Sequence, residues 1–134
     1  MNDFSGRVVL WKAPQDALDE LGKSLARLGF QVQEVDSLED VRAAIQGHDT
    51  DLVVTRLCGC FRRPLELLAW LEQVPLAPPV LIVTAGVDVP LYLEAMRRGA
   101  FDCVGLPLNE NELVRIVTRA LEARHMRAAA GGRE

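Results

Sequence analysis

Short apolar runs alternate with segments of helical period along this chain. Runs rich in valine, leucine and isoleucine predict buried strands at Arg7–Trp11, residues 51–57 and Val80–Thr84. Polar residues interleave with apolar ones at residues 30–35, which predicts a half-exposed strand, and residues 100–106 form a last strand that ends at Pro107. Glycine and proline separate these runs, so the pattern predicts five strands.

Helical periodicity fills the intervals between the strands. The first interval carries leucines at spacings of 3, 4 and 3, from Leu18 to Leu28, which places them on one face of a helix. Ser37, Asp88 and Asn109 are predicted N-caps of three further helices, because their side chains accept hydrogen bonds from the first helical turn. Pro64 begins the remaining helix, since proline fits a first turn without losing a hydrogen bond.

Five strand–helix units in succession indicate a parallel sheet that is covered by helices on both faces. In such sheets the binding crevice lies outside the carboxyl ends of the strands. The chemistry is therefore expected among the residues that follow each strand, which are 11–14, 56–63, 84–88 and 106–107.

Length and charge narrow the function class. The 134 residues fit one domain, expected over residues 1–123, with residues 124–134 as a flexible tail or the start of a linker to an output domain. The net charge of −4 argues against direct nucleic-acid binding by this domain. No apolar run is long enough for a membrane span. Three cysteines without an export signal favour a reducing, cytoplasmic setting.

One segment, EAMRRGAFDCVGLP at residues 94–107, resembles the end of a CheY-like receiver domain of bacterial response regulators. DLVVTRL, PLELLAWL and VLIVTA, which begin at Asp51, Pro64 and Val80, are similar to further elements of that family. The resemblance implies a flavodoxin-like, three-layer α/β/α fold with strand order 2-1-3-4-5 and a cis bond between Leu106 and Pro107. It also implies a place in two-component signalling (phosphorelay) and transcription regulation.

The family's phosphorylation residues are largely missing at the matching positions. By the resemblance, an acidic pair, a phosphoacceptor aspartate and a lysine are expected there, and a hydroxyl is expected after the fourth strand. The acidic pair falls on Trp11 and Lys12, the acceptor on Arg56, the lysine on Leu106, the hydroxyl on Thr84, and the aromatic residue of the last strand on Cys103. Only the hydroxyl is retained.

These replacements predict a degenerate receiver, a pseudo-receiver that does not accept phosphate by the aspartate route. Mg²⁺ needs oxygen ligands, whereas arginine and lysine offer only donors. A divalent cation about 5 Å from one such charge is repelled by about 7 kcal/mol at an effective dielectric near 20. Arg56 has no carboxylate to form an acyl phosphate. We therefore expect no Mg²⁺, no metal site, no cofactor and no enzymatic activity.

Two functions remain open. The first is regulation through protein contact, with the protein's own output domain, another partner or a second copy docking on the surface formed by the fourth helix, fifth strand and fifth helix. The candidate interface residues are Leu91, Tyr92, Arg97, Arg98, Leu108 and Val114. The second is a sensor of a small anion or metabolite, in which Lys12, Arg56 and Thr84 line a crevice of reversed charge. The alternative to this sensor is that each cationic side chain pairs with a local acid, with Asp36, Asp88 and Asp102 as candidates.

Trp11 and the cysteines also have two interpretations each. Trp11 either fills the space that an acidic pair and a metal would take, which is the simpler interpretation, or offers a stacking surface to a ligand. Cys58 and Cys60 form a C-G-C loop, with Cys103 expected nearby. Plain packing is the simplest role for them, and a redox switch or a metal site with His48 is a weaker alternative.

Overall fold

The computed structural model describes residues 4–12, 18–47, 49–59, 61–86 and 88–131, and of residues 127–131 it describes the backbone alone. Strands and helices alternate along the chain. The strands are β1 (Arg7–Trp11), β2 (Gln31–Val35), β3 (Leu52–Arg56), β4 (Val80–Thr84) and β5 (Asp102–Gly105). The helices are α1 (Asp19–Arg27), α2 (Leu38–Gln46), α3 (Pro64–Leu71), α4 (Val89–Arg97) and α5 (Glu110–Gly131).

The five strands form one parallel sheet in the order β2-β1-β3-β4-β5. This confirms the predicted flavodoxin-like class and the predicted strand order. The central strands β1, β3 and β4 are almost wholly buried, whereas β2 at one edge is mostly exposed. That difference explains why apolar residues run continuously in the central strands and alternate with polar ones in β2.

Side chains of successive strand residues enter different cores on the two faces of the sheet. Val9 and Trp11 of β1 pack in the core beneath α2, α3 and α4. Val8 and Leu10 pack in the other core, against α1 and α5. This alternation follows from the two-residue period of a strand, and it fixes which strand-end residues face α4.

The helix starts predicted at Ser37, Pro64, Asp88 and Asn109 are confirmed. The Ser37 side chain accepts a hydrogen bond from the Asp40 N–H at 3.1 Å. At the start of α5, the Glu112 N–H donates to Asn109 Oδ1 at 2.8 Å and the Asn109 N–H donates to Glu112 Oε1 at 3.3 Å. This reciprocal pair satisfies two N–H groups that the helix itself leaves without partners.

The final helix is longer than the apolar stripe that predicted it. α5 continues as a helix to Gly131, through most of the segment expected to be a tail or the start of a linker. Arg124 holds this extension to the body, because its Nε lies 3.4 Å from Asp51 Oδ1 and its Nη1 donates to the Leu76 carbonyl at 3.3 Å. Among the described residues, no helix has the length and apolarity needed to cross a bilayer.

Candidate functional site

The residues singled out after each strand lie together at one edge of the sheet. Trp11, Arg56 and Thr84 are the last residues of β1, β3 and β4. Leu106 follows β5, and its N–H donates to the Thr84 carbonyl at 2.7 Å. The peptide bond between Leu106 and Pro107 is cis, as predicted. The parallel register therefore brings these positions to the same end of the fold.

A crevice of about 600 Å³ opens between the ends of β3, β4 and β5 and the start of α4. Arg56 and Thr84 line it and provide a cationic and a hydroxyl group. Most of the other lining residues are apolar, and α4 supplies the buried Leu91 and the partly exposed Tyr92. The other lining residues are Leu57, Cys58, Gly59, Ala85, Gly86, Asp88, Val89, Cys103, Val104, Gly105 and Leu106. The crevice thus combines a polar end with an apolar wall.

Lys12 is not part of this crevice, so the predicted grouping of Lys12 with Arg56 and Thr84 is wrong for Lys12. Its ammonium donates to Asp19 at the start of α1 and to Glu34 of β2, the latter at 3.4 Å. The hydrogen bond with Asp19 raises the pKa of Lys12, and the same bond lowers the pKa of Asp19. Lys12 does pair with local acids, but they are not the ones that the sequence suggested.

Two of the suggested acids bind backbone N–H groups. Asp88 caps α4 by accepting from the Leu91 N–H at 3.1 Å. Asp102 accepts from the N–H of Cys103 at 2.8 Å. Asp36 is exposed in the turn between β2 and α2. Local backbone geometry, rather than pairing with the crevice bases, therefore explains the positions of Asp88 and Asp102.

Trp11 is buried, with 1% of its surface exposed. Its indole ring contacts the Phe61 ring edge-on, with the centroids 5.3 Å apart and the planes at 80°. An indole enclosed in this way has no open face on which a ligand can stack. Of the two interpretations of Trp11, the structure therefore supports filling of the space at the end of β1.

The residues at the strand ends do not fit a Mg²⁺ ion. An indole, an ammonium, a guanidinium and an aliphatic chain occupy the positions where the family resemblance expects oxygen and ammonium groups, at Trp11, Lys12, Arg56 and Leu106. None of these groups provides a carboxylate oxygen. Within the described ranges, no three His, Cys, Asp or Glu side chains are grouped so that they could hold a metal.

The cysteines differ from one another. Cys58 is disulfide-bonded, so the interpretation of plain packing is wrong for this residue. Cys103 carries a free thiol on the crevice wall, and burial, followed by the neighbouring Asp102 charge, raises its pKa. Cys60 and His48 lie outside the described residues.

The predicted interface on α4 needs one correction. Leu91 is buried, with 4% of its surface exposed, because it packs with Ala95 against the core. Its neighbours Tyr92 and Leu93 are 41% and 49% exposed, and Val89 is 55% exposed. Sequence reasoning missed Val89 and Leu93, although Leu91 and Ala95 at positions i and i+4 mark the buried face of the helix.

The remaining candidates divide between two sides of α4. Arg98 Nη2 lies 3.2 Å from Glu94 Oε2, and Glu94 Oε1 lies 3.1 Å from Arg62 Nη2 just before α3. Arg98 therefore lies on the α3 side. Arg97 is exposed, while Leu108 and Val114 are partly exposed and pack against the core of α1 and α5. We define the α4–β5–α5 face by its members, which are Val89, Tyr92, Leu93, Arg97, Leu108 and Val114.

Two transcriptional regulators are similar to the chain. The C4-dicarboxylate transport transcriptional regulatory protein DctR of Rhodobacter capsulatus is 41% identical over 82 residues, which are 54% of this chain and 42% of DctR. The transcriptional regulatory protein FixJ of Rhizobium meliloti is 29% identical over 133 residues, which are 96% of this chain and 61% of FixJ. The chain thus spans less than two thirds of either protein.

The signal receiver domain of an HD domain-containing protein from Pseudomonas fluorescens Pf-5 has the same fold. It superposes with a TM-score of 0.75 at 20% identity, over 92% of this chain and 99% of that one. Residues 14–118 match the response regulator receiver domain. That match covers well over half of the chain, and it agrees with the strand order and the register of the strand ends. The chain therefore belongs to the response regulator receiver domain family.

Proposed function

We propose that this chain is a regulatory receiver module that works without phosphorylation of an aspartate and acts through protein contact at the α4–β5–α5 face. The observation that carries the proposal is Arg56 at the end of β3, where the family resemblance expects the phosphoacceptor. Because DctR and FixJ are transcriptional regulators, we propose that the module serves a regulator of transcription.

The chemistry at the strand ends supports independence from phosphate. A guanidinium has only donors, so it cannot form the acyl phosphate that a carboxylate forms. The buried Trp11 ring fills the end of β1, and Lys12 is held by Asp19 and Glu34. The residues of aspartate phosphorylation are therefore replaced at four positions, which are Trp11, Lys12, Arg56 and Leu106.

The apolar residues on α4 support a contact surface. Val89, Tyr92 and Leu93 are each about half exposed and lie within two turns of one helix. Tyrosine anchors are enriched in protein interfaces, and burial of neighbouring aliphatic side chains adds favourable free energy. The proposed partners are the protein's own output domain or a second copy of the chain.

A thermal melt tests the absence of phosphate chemistry. We expect Mg²⁺ together with beryllofluoride to leave the melting temperature of this protein unchanged, because no carboxylate is present to hold the complex. A receiver with an intact aspartate, measured in parallel, should be stabilised. A clear rise for this protein would contradict the proposal.

Sedimentation velocity over a wide concentration range tests the contact surface. We expect the protein to self-associate, and we expect neither Mg²⁺ with beryllofluoride nor Arg56→Asp to change that association. Leu93→Asp should weaken the association by about tenfold or more, since a charge would be buried in the contact. Leu76→Asp is the matched control, because Leu76 is also exposed, at 52%, but lies outside the face. Equal effects of the two substitutions would count against this surface, and a protein that stays monomeric throughout would exclude the second copy as partner.

A further inference from the structure

We propose that the crevice between β5 and α4 is a binding site for a small organic acid with an apolar body. This inference goes beyond the proposed function, because it concerns a ligand rather than a protein partner. The crevice shares Val89 and Tyr92 with the α4–β5–α5 face, but ligand binding in it does not require a partner docked on that face. Four features of the crevice carry it: its size, its cation, its apolar wall and the small residues that keep it open.

The size of the crevice suits a small molecule. At about 600 Å³ it falls within the range of roughly 300–1,000 Å³ that is typical of ligand pockets. Inorganic phosphate would occupy a small part of that volume and leave the apolar wall uncovered. A ligand that fills the crevice must therefore carry more than an anionic group.

The polar end of the crevice favours a negative charge. Arg56 and Thr84 both line it, and they offer a guanidinium and a hydroxyl. A guanidinium has five N–H donors in a fork, so Arg56 can bind a carboxylate and keep its other contacts. Asp88 also lines the crevice, but its carboxylate caps α4 by accepting the Leu91 N–H, and the N-terminal N–H groups of that helix offset its charge. The net preference of this end is for an anion.

The apolar lining of the crevice favours an apolar body. Leu57 and Leu91 are only 2% and 4% exposed, so the apolar surface that a ligand can cover comes mainly from Val89, which is 55% exposed. Tyr92 is 41% exposed and supplies an aromatic side at the mouth. An aryl or branched alkyl group seated here would remove apolar surface of both partners from water.

Small residues keep the crevice open without being required by the backbone. A Cβ added at Gly59, Gly86 or Gly105 would meet no atom within 4 Å. Gly105 lies two residues after Cys103 in β5, so a side chain at position 105 would point to the same face as Cys103, towards α4. A larger residue there would fill the crevice without a clash.

The first experiment measures binding with defined probes. The panel contains 3-phenylpropionate, indole-3-acetate and octanoate, the primary amide of each, and inorganic phosphate. We expect at least one acid to bind with a dissociation constant below about 10 mM. The dissociation constants of its amide and of inorganic phosphate should be at least about tenfold higher. Calorimetry gives the affinities, and the rate at which iodoacetamide alkylates the Cys103 peptide, read by mass spectrometry, reports whether the crevice is occupied.

Two substitutions locate the site. Arg56→Gln removes a charge-assisted contact, so affinity for the acid should fall about ten- to one-hundred-fold. Gly105→Leu should abolish binding by filling the crevice, and the melting temperature of each free variant checks that it is folded. Arg27→Gln is the control for loss of an exposed charge outside the crevice, because Arg27 lies on α1 and is 60% exposed, and this variant should bind like the unaltered protein.

Each outcome decides the proposal. Saturable binding of an acid that slows Cys103 alkylation and is lost in both Arg56→Gln and Gly105→Leu supports it. Binding of inorganic phosphate as tightly as the acids, binding that survives Gly105→Leu, or no binding of any acid would overturn it. The melts with beryllofluoride and the sedimentation data test the proposed function separately. Failure of the ligand site can therefore be distinguished from failure of the proposed function.

Discussion

Replacement of Trp11 is the sharpest test of how the strand ends are built. The side chain is 1% exposed, and its ring meets Phe61 edge-on at 5.3 Å. If the indole fills the place that family resemblance assigns to acidic residues, then its removal must leave a cavity that water and neighbouring groups cannot fill well. Stability should therefore fall steeply when Trp11 is truncated.

The expected loss can be worked from burial. Truncation of a buried tryptophan to alanine costs about 3–5 kcal/mol, since the transfer free energy is lost and a cavity remains. Trp11→Phe keeps one ring and should cost about 1–2 kcal/mol. The edge-on pair with Phe61 should contribute a coupling of about 0.5–1.5 kcal/mol. The free energy of unfolding of a domain of this size is about 5–15 kcal/mol, so Trp11→Ala should remain folded but with a small free energy of unfolding.

Urea unfolding followed by circular dichroism measures these losses. With a slope of about 1–3 kcal/mol per molar urea, the midpoint for Trp11→Ala should fall by about 2 M. Trp70→Ala is the control, because Trp70 is only partly buried, with Arg42 over its ring, and should lose much less. A loss below about 1 kcal/mol for Trp11→Ala, or a double-mutant cycle with Phe61→Leu that shows no coupling, would refute the reasoning.

Three further predictions concern stability. Asp88→Ala removes the cap of α4 and should lower the free energy of unfolding by about 1 kcal/mol in urea titrations, whereas Asp88→Ser should restore most of it. Asp51→Ala should cost about 1.5–3 kcal/mol, because Asp51 accepts the Arg7 N–H at 2.9 Å and pairs with Arg124. Asp51→Asn retains an acceptor for the Arg7 N–H and should lower the free energy of unfolding by less than about 1 kcal/mol. Equal losses for the two variants would contradict the view that the hydrogen bond contributes more than the ion pair with Arg124. The pKa of the Cys103 thiol is raised in the folded state, so this group favours folding below the unfolded-state pKa of about 8.5. That contribution is lost as pH rises through the folded-state pKa. The free energy of unfolding, measured against pH, should therefore decline on the alkaline side, and Cys103→Ala should reduce the decline.

The fold was predictable because each element carries its own period. The continuous apolar run of β4 and the leucines of α1 fixed the type of element, and five repeats of strand and helix fixed the layers. The ends of the strands and helices were harder to predict where the pattern of apolar residues and the packing differ. β5 is shorter than its apolar run, and α5 extends beyond its apolar stripe because alanine-rich sequence propagates a helix without a core contact.

The site was predictable only as far as the backbone determines it. Strand register brings Arg56 and Thr84 to one crevice, as expected. Lys12 also follows a strand, but its long side chain reaches Asp19 and Glu34 on the other side of β1. Which acid a flexible cation meets depends on the position of α1, and that position is not encoded in the local sequence around Lys12.

The continuation of α5 beyond Arg124 has a geometric consequence. Residues 125–131 extend the helix by about 10 Å past the clamp with Asp51 and the Leu76 carbonyl. A helix turns about 100° with each residue. The last residue of α5 therefore sets both the direction of any segment joined to it and the angle of that segment around the helix axis. One residue inserted after Met126 would swing such a segment to a different side of the module, while seven would return it to within about 20° of its first orientation. The orientation of a segment joined to this helix should therefore vary periodically with the length of the insertion, with the repeat of the helix itself.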